Sequence, residues 1–275
     1  MASPGIRPRR GTQAGRASMN ASASSPGSSA ATTRRSRLRR RLFVEERTVP
    51  AKTKVRLYGI ATALIIAGLT SLLVLWWSVL QPDVLTVMDT TIQEWLEDRQ
   101  TATLTVLMIV FTEMFGPIAL PIIVLVVTVT LARKSEQWWR PFLLAAGTLT
   151  GVIIVQIITR VVGRSRPPED LMLYGTDMTF SFPSGHVLGV ADFFLILTFL
   201  VFSRRNSGGL AAISYVVAAL LVIATALSRL YLGYHWTSDV LASMALSLVI
   251  LGTVIAVDTY RTARVMPGAH RSLPE

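Results

Sequence analysis

Six apolar stretches, each close to the roughly 20 residues that cross the hydrocarbon core of a bilayer, dominate what this chain can fold into. They run approximately over Leu57–Leu80, Thr103–Leu131, Pro141–Val162, Val187–Phe202, Leu210–Leu227 and Val240–Val257. A segment inside a membrane must satisfy its own backbone N–H and C=O groups, so runs of this kind predict helices. The chain is therefore expected to be all-α, a polytopic membrane protein with six transmembrane helices. The fourth run is short and draws on its flanks. The second contains Gly116, Pro117 and Pro121, which predicts a kink. Between the first two, Val84–Gln100 spaces Val87, Ile92, Trp95 and Leu96 among acids, the pattern of a short amphipathic helix at the interface.

Charge is distributed unevenly. Of the 27 Lys/Arg and 16 Asp/Glu, residues 1–56 hold 14 and 2, so the net +11 belongs to the N-terminal end and the rest is nearly balanced. Residues 1–55 are rich in Ser, Ala, Gly and Arg without apolar periodicity, and are expected to be a disordered basic tail. Beside a membrane span, such a tail marks the cytoplasmic side and touches anionic lipid headgroups rather than nucleic acid. No cleaved signal peptide is expected, because the first apolar run starts near Leu57 and is too long for one. With the N-terminus inside, Arg133, Lys134, Arg140, Arg204 and Arg205 also fall in inner loops, as do Arg261, Arg264 and Arg271. The expected layout is thus a tail over 1–55, a six-helix domain over 56–260 and a short cytoplasmic tail over 261–275. Arg160, Arg164 and Arg166 violate the charge rule by falling outside, and binding an anion would explain them.

Three polar clusters flank the spans on that outer side. Arg160-Val-Val-Gly-Arg164-Ser-Arg166-Pro167-Pro168 ends the third, since the prolines stop the helix. Its guanidinium groups suit either phosphate oxygens or lipid headgroups reached by snorkelling. Pro183-Ser184-Gly185-His186 opens the fourth. There, helix-start amides beside Gly185 can bind an anion, or Ser184 can simply cap the helix. Ser228-Arg229, followed by His235 and Asp239, opens the sixth. The four-residue spacing puts His235 and Asp239 on one helical face, as a surface ion pair or as a carboxylate that fixes an imidazole tautomer and leaves Nε2 nucleophilic. A carboxylate and an imidazole at a membrane boundary are costly without a job. Glu113 and Asp192, inside apolar runs, are expected to pair within the bundle.

Together these clusters resemble the signature of the phosphatidic acid phosphatase type 2 superfamily of membrane lipid phosphatases. That signature is Lys, six residues, Arg-Pro; then Pro-Ser-Gly-His; then Ser-Arg, five residues, His, three residues, Asp. The second and third parts match in full at Pro183–His186 and at Ser228, Arg229, His235 and Asp239. In the first, Arg166-Pro167 match but Thr159 stands at the Lys position, with Arg160 or Arg164 as candidates to replace it. The resemblance implies His235 as nucleophile forming a phosphohistidine, Asp239 orienting it, and His186 as proton donor and later base. It assigns the phosphoryl oxygens to Arg166, Ser184, Gly185 and Arg229.

Phosphoryl transfer chiefly asks for positioning and for cations around the equatorial oxygens. Guanidinium groups can supply those cations, and no carboxylate or histidine set has metal-ligand spacing. The expectation is a cofactor-free, metal-independent phosphatase in the cell membrane, acting on a lipid phosphomonoester or diphosphate from the non-cytoplasmic side. Phosphatidic acid, phosphatidylglycerol phosphate and, for a bacterial source, undecaprenyl diphosphate all fit. The alternatives are a phosphotransferase with an acceptor other than water and a non-catalytic phospholipid-binding membrane protein.

Overall fold

The computed structural model describes residues 46–81, 84–205 and 207–265. The helices are α1 (Ala51–Leu80), α2 (Val84–Glu97), α3 (Ala102–Met114), α4 (Ala119–Lys134), α5 (Trp139–Val162), α6 (Gly185–Phe202), α7 (Gly208–Tyr231) and α8 (Thr237–Thr262). Two short strands, β1 (Arg47–Val49) and β2 (Ala263–Val265), pair in parallel. Five helices, α1, α5, α6, α7 and α8, are each long and apolar enough to span a bilayer. The pair α3 and α4, bent by 45° at a break, is long and apolar enough to make a sixth when taken as one span. Gly116 and Pro117 lie in that break, because a proline there cannot continue the hydrogen-bond ladder of α3. The amphipathic helix expected between the first two spans is α2.

α6 and α8 are the most enclosed elements, and Leu144, Val187, Val190, Phe193, Ile196 and Ile250 form the core around them. The outward faces of α1, α5 and α7 stay apolar, with Ile66, Leu73, Val152, Ile157, Leu220 and Ile223 exposed, as a lipid-facing surface requires. α1 lies closely along α8 because glycine removes the side chain at two crossing points. A Cβ on Gly68 would sit 2.5 Å from the carbonyl oxygen of Ala245, and one on Gly252 would sit 2.7 Å from that of Ala61.

Polar groups gather at both ends of the bundle. At one end the buried Asp258 accepts from Trp139 Nε1 and from Arg140 Nη2, each at 3.1 Å. Arg140 also bonds Ser203 Oγ at 2.8 Å, and Arg47 reaches the Ser203 carbonyl at 3.4 Å. Arg264 pairs with Glu46 at 2.6 Å beside the two strands. Part of the expected tails falls within these elements. Arg47–Val49 find the C-terminal strand as their hydrogen-bond partner, and Lys52, Lys54 and Arg56 lie in the first turns of α1. Residues 261–265 likewise complete α8 and β2. The expectations for residues 1–45 and 266–275, including contact with anionic lipid, lie outside the described residues.

Prediction: Gly68→Ala lowers stability by about 1–3 kcal/mol, because its methyl must displace backbone rather than a flexible side chain. Gly59→Ala, whose Cβ meets open space, costs nothing. Thermal unfolding in detergent measures both, and equal melting temperatures would contradict close α1–α8 contact at Gly68.

Candidate functional site

The opposite end of the bundle is built from α2, the connection from α5 to α6, and the turn from α7 to α8. Gly163 ends α5 in the left-handed conformation (φ 62°) and releases the chain toward Arg164. Gly233, at φ 75°, makes the turn after α7, and a Cβ there would lie 2.2 Å from the Leu171 carbonyl oxygen. That close approach sets His235 beneath the α5–α6 connection. The Leu173 N–H donates to the Leu232 carbonyl at 3.2 Å, and the Tyr234 hydroxyl donates to the carbonyls of Tyr174 and Gly175.

His235 is buried, and its Nδ1 stands 3.5 Å from Asp239 Oδ2, close enough to pair with the carboxylate but longer than an ordinary hydrogen bond. Its Nε2 lies 3.2 Å from Arg166 Nη1. Asp239 is fully buried, and its two oxygens are held differently. Oδ2 also accepts from the Trp236 N–H at 2.9 Å, and Oδ1 accepts from Arg164 Nη1 at 2.5 Å. Burial lowers the His235 pKa from the ordinary 6.5 to about 4, Arg229 and Arg166 push it the same way, and Asp239 opposes them. The imidazole is therefore neutral at physiological pH.

Arg166 is held by Asp177 at 2.8 Å, by the Tyr234 carbonyl at 2.6 Å and by both the carbonyl and the hydroxyl of Thr179. The buried Arg229 bonds Thr112 Oγ1 at 3.1 Å and stacks over the Tyr234 ring with its carbon 4.2 Å from the centroid. Half-buried His186, in the first turn of α6, is within electrostatic reach of Arg229, His235, Arg166 and Asp177. Ser184 is buried with no hydrogen-bond partner for its hydroxyl among the described residues, and its N–H donates to the Asp239 carbonyl at 3.4 Å. A Cβ on Gly185 would meet open space, so the start of α6 leaves room for a ligand atom.

His186, His235, Asp239, Arg166, Ser184, Gly185 and Arg229 thus meet at one end of the bundle. The two candidates for the Lys position are placed differently. Arg160 is exposed and donates to the carbonyl and side-chain oxygens of Gln156 on its own helix, because its position on the last turn of α5 faces outward. Arg164 does join the cluster, but its guanidinium is taken up by carboxylates, Asp239 and, at 2.7 Å, Asp89. Glu113 is also exposed rather than paired inside, while Asp192 is buried against Gly151.

Asp89 was not legible as a site residue. It comes from α2, is 2% exposed, and accepts from Ser238 N at 2.8 Å, Ser238 Oγ at 2.5 Å and Arg164. Asp89 and Gln93 are both buried and one turn apart, a polar pair on the inward side of an otherwise amphipathic helix. Thr112, Asp177 and Thr179 were missed too, as single polar residues without a motif.

A polytopic helical bundle with a buried cluster of arginines and histidines at one end is the class that the fold and the site define. Residues 140–263 match the model of the PAP2 superfamily. It is similar to phosphatidylglycerophosphatase B of Bacillus subtilis, 27% identical over 124 residues, covering 45% of this chain and 60% of that protein. Phosphatidylglycerophosphatase B of Escherichia coli is 34% identical over 88 residues, covering 31% and 30%. The chain therefore spans less than two thirds of the length of these relatives. Decaprenylphosphoryl-5-phosphoribose phosphatase of Mycobacterium tuberculosis is 28% identical over 138 residues, covering 50% and 70%. The crystal structure of a transmembrane PAP2-type phosphatidylglycerolphosphate phosphatase from Bacillus subtilis shares the fold, with a TM-score of 0.64, 22% identity, and coverage of 70% of this chain and 94% of that one.

Prediction: Arg164→Ala leaves the carboxylates of Asp89 and Asp239 buried without their shared cation, and costs about 3–5 kcal/mol of stability. Thermal unfolding of the purified variant measures this, and a melting temperature equal to that of the parent would contradict the shared ion pair.

Proposed function

We propose that this chain is a membrane lipid phosphatase that hydrolyses a lipid phosphomonoester or diphosphate through a phosphohistidine on His235. The observation that carries the reading is the meeting of His235 with Arg166 on one side and Asp239 on the other. Simple anion binding needs guanidinium groups but not a neutral imidazole backed by a buried carboxylate.

In this reading His235 Nε2 attacks the terminal phosphorus as its bond to the departing oxygen breaks, releasing a lipid alcohol from a monoester or a lipid monophosphate from a diphosphate. Asp239 holds the Nδ1 proton and stabilises the positive charge that develops on the ring. His186 gives a proton to the departing oxygen, and the phosphate's own negative charge keeps that proton on the imidazole among its cationic neighbours. Arg166 and Arg229 hold the equatorial oxygens, with the Ser184 hydroxyl and the amides at the start of α6. Water activated by His186 then attacks the phosphohistidine, releasing inorganic phosphate and restoring His235.

Among the described residues no group of three or more His, Asp or Glu side chains gathers as a metal site, and arginines are the cations at the cluster. In this reading those arginines, rather than a metal ion, balance the charge of the phosphoryl group. A groove of about 200 Å³ between α1 and α5 is lined by Leu72, Leu73, Trp76, Ile157, Ile158, Val161, Val162 and Phe182. Phe182 lies two residues before Ser184, so a lipid chain in this groove runs up to the site. The substrate class is therefore a phosphorylated lipid, with phosphatidylglycerol phosphate, phosphatidic acid and isoprenoid diphosphates such as undecaprenyl diphosphate as candidates. The end bearing Arg133, Lys134, Arg140, Arg204 and Arg205 is read as cytoplasmic, with both termini, which puts the site at the non-cytoplasmic face of the cell membrane.

Prediction: the purified protein releases phosphate from at least one of these lipids in the presence of a chelator, and His235→Ala abolishes release without loss of membrane insertion. Trapping with acid quench recovers acid-labile phosphohistidine from the parent only. Turnover retained by His235→Ala would rule out the nucleophile. Phosphate passed to an added alcohol instead of water would make the protein a transferase, and binding without turnover would make it a headgroup-binding protein.

Prediction: because the neutral imidazole persists down to about pH 4, the acid limb of kcat/KM, corrected for ionisation of the lipid phosphate, falls near pH 4. A limb near 6.5, the value of an unburied histidine, would contradict the buried neutral nucleophile.

A further inference from the structure

We infer that Asp89, on the interfacial helix α2, is a positioning residue for the proposed nucleophile, acting through Arg164 and Asp239. The inference rests on the reading of His235 as nucleophile and adds a group from outside the three sequence clusters.

All three hydrogen bonds that Asp89 accepts end beside Asp239. Oδ1 takes the backbone N–H of Ser238, the residue directly before it in the chain. Oδ2 takes the Ser238 hydroxyl and Arg164 Nη2. Arg164 in turn places Nη1 on both Asp239 Oδ1 and Ser238 Oγ. A guanidinium is a rigid plane, so anchoring Nη2 on Asp89 fixes where Nη1 meets Asp239. Ser238 sits in the first turn of α8, whose orphan amides favour a carboxylate, and Asp89 supplies one from a different helix. Asp89 thereby holds the backbone, the hydroxyl neighbour and the charge partner of the carboxylate that faces His235.

Division of Arg164 between two carboxylates has a chemical consequence. With Asp89 in place, the guanidinium charge is shared and Asp239 remains a strong acceptor toward His235 Nδ1. Without Asp89, the whole charge falls on Asp239, and its pull on the Nδ1 proton weakens. The other side of α2 exposes Val87 and Trp95, which suit the boundary between headgroups and hydrocarbon. The seating of α2 in the membrane interface is therefore connected, through one carboxylate, to the proposed catalytic dyad.

Asp89→Asn tests this, since the amide oxygen still accepts from Ser238 N–H while the charge and the Arg164 bond are lost. The readout is kcat and KM for whichever of the three candidate lipids the parent turns over fastest, normalised to folded protein by thermal unfolding and monodispersity in detergent. The expected result is a fall in kcat of about tenfold or more with KM changed by less than about threefold. Addition of Arg164→Gln should then cost no further activity, because the two residues act as one unit. A kcat for Asp89→Asn within about twofold of the parent would overturn the inference, as would a loss of activity fully accounted for by a smaller folded fraction. Should Asp89→Asn fail to fold, Ser238→Ala gives the second arm. It removes one hydroxyl shared by Asp89 and Arg164, and kcat should fall severalfold at unchanged KM, whereas a parental kcat overturns the role. An active His235→Ala defeats the nucleophile reading itself, while an inactive His235→Ala beside a fully active Asp89→Asn defeats only the role of Asp89.

Discussion

One guanidinium shared by two carboxylates holds the polar end of this bundle together. Arg164 contacts Asp89 at 2.7 Å and Asp239 at 2.5 Å, and both carboxylates are almost completely buried. Charges taken from water at a membrane boundary are costly unless they are paired and hydrogen-bonded. Here the partners come from α2, from the end of α5 and from the start of α8, so the requirement to pair them fixes how three distant elements meet. The position of His235 follows from that constraint, since Asp239 is its nearest anionic neighbour and belongs to the same helical start.

The other end obeys the same rule with different residues. Asp258 on α8 takes Trp139 and Arg140 from the start of α5, and Arg140 reaches across to Ser203 at the end of α6. The helices α5 and α8 are thus pinned by buried ion pairs at both ends, while glycines bring α1 against α8 along the apolar middle. Between these pins the packing is mostly hydrophobic, with Asp192 as a buried carboxyl against Gly151. The proposed chemistry sits at one pinned end because buried cations, a neutral imidazole and an apolar groove for a lipid chain come together there.

Much of this was legible in the chain because membrane spans and helical periodicity are local properties. The six apolar runs, the kink near Pro117 and the helix at Val84 are written in adjacent residues, and so is the i, i+4 placement of His235 and Asp239. The remainder depends on which helix faces which, a matter of contacts between residues far apart in sequence. Arg160 and Arg164 are four residues apart, yet Arg160, on the last turn of α5, folds back onto Gln156 while Arg164, beyond the Gly163 cap, enters the cluster. Asp89 lies 149 residues from Ser238 and looked like one acid among several on an interfacial helix. The strand pairing of Arg47–Val49 with Ala263–Val265 was hidden for the same reason, since it needs both ends of the chain side by side.

The central claim is that residues from separate loops close around a single phosphorus atom. A structure of the protein with orthovanadate bound, which takes up the trigonal-bipyramidal geometry of a transferring phosphoryl group, tests it most directly. The account predicts vanadium at bonding distance from His235 Nε2, its equatorial oxygens on Arg166 and Arg229, and His186 on the apical oxygen opposite. Vanadate bound elsewhere, or bound at the arginines with His235 turned away from it, would contradict that claim.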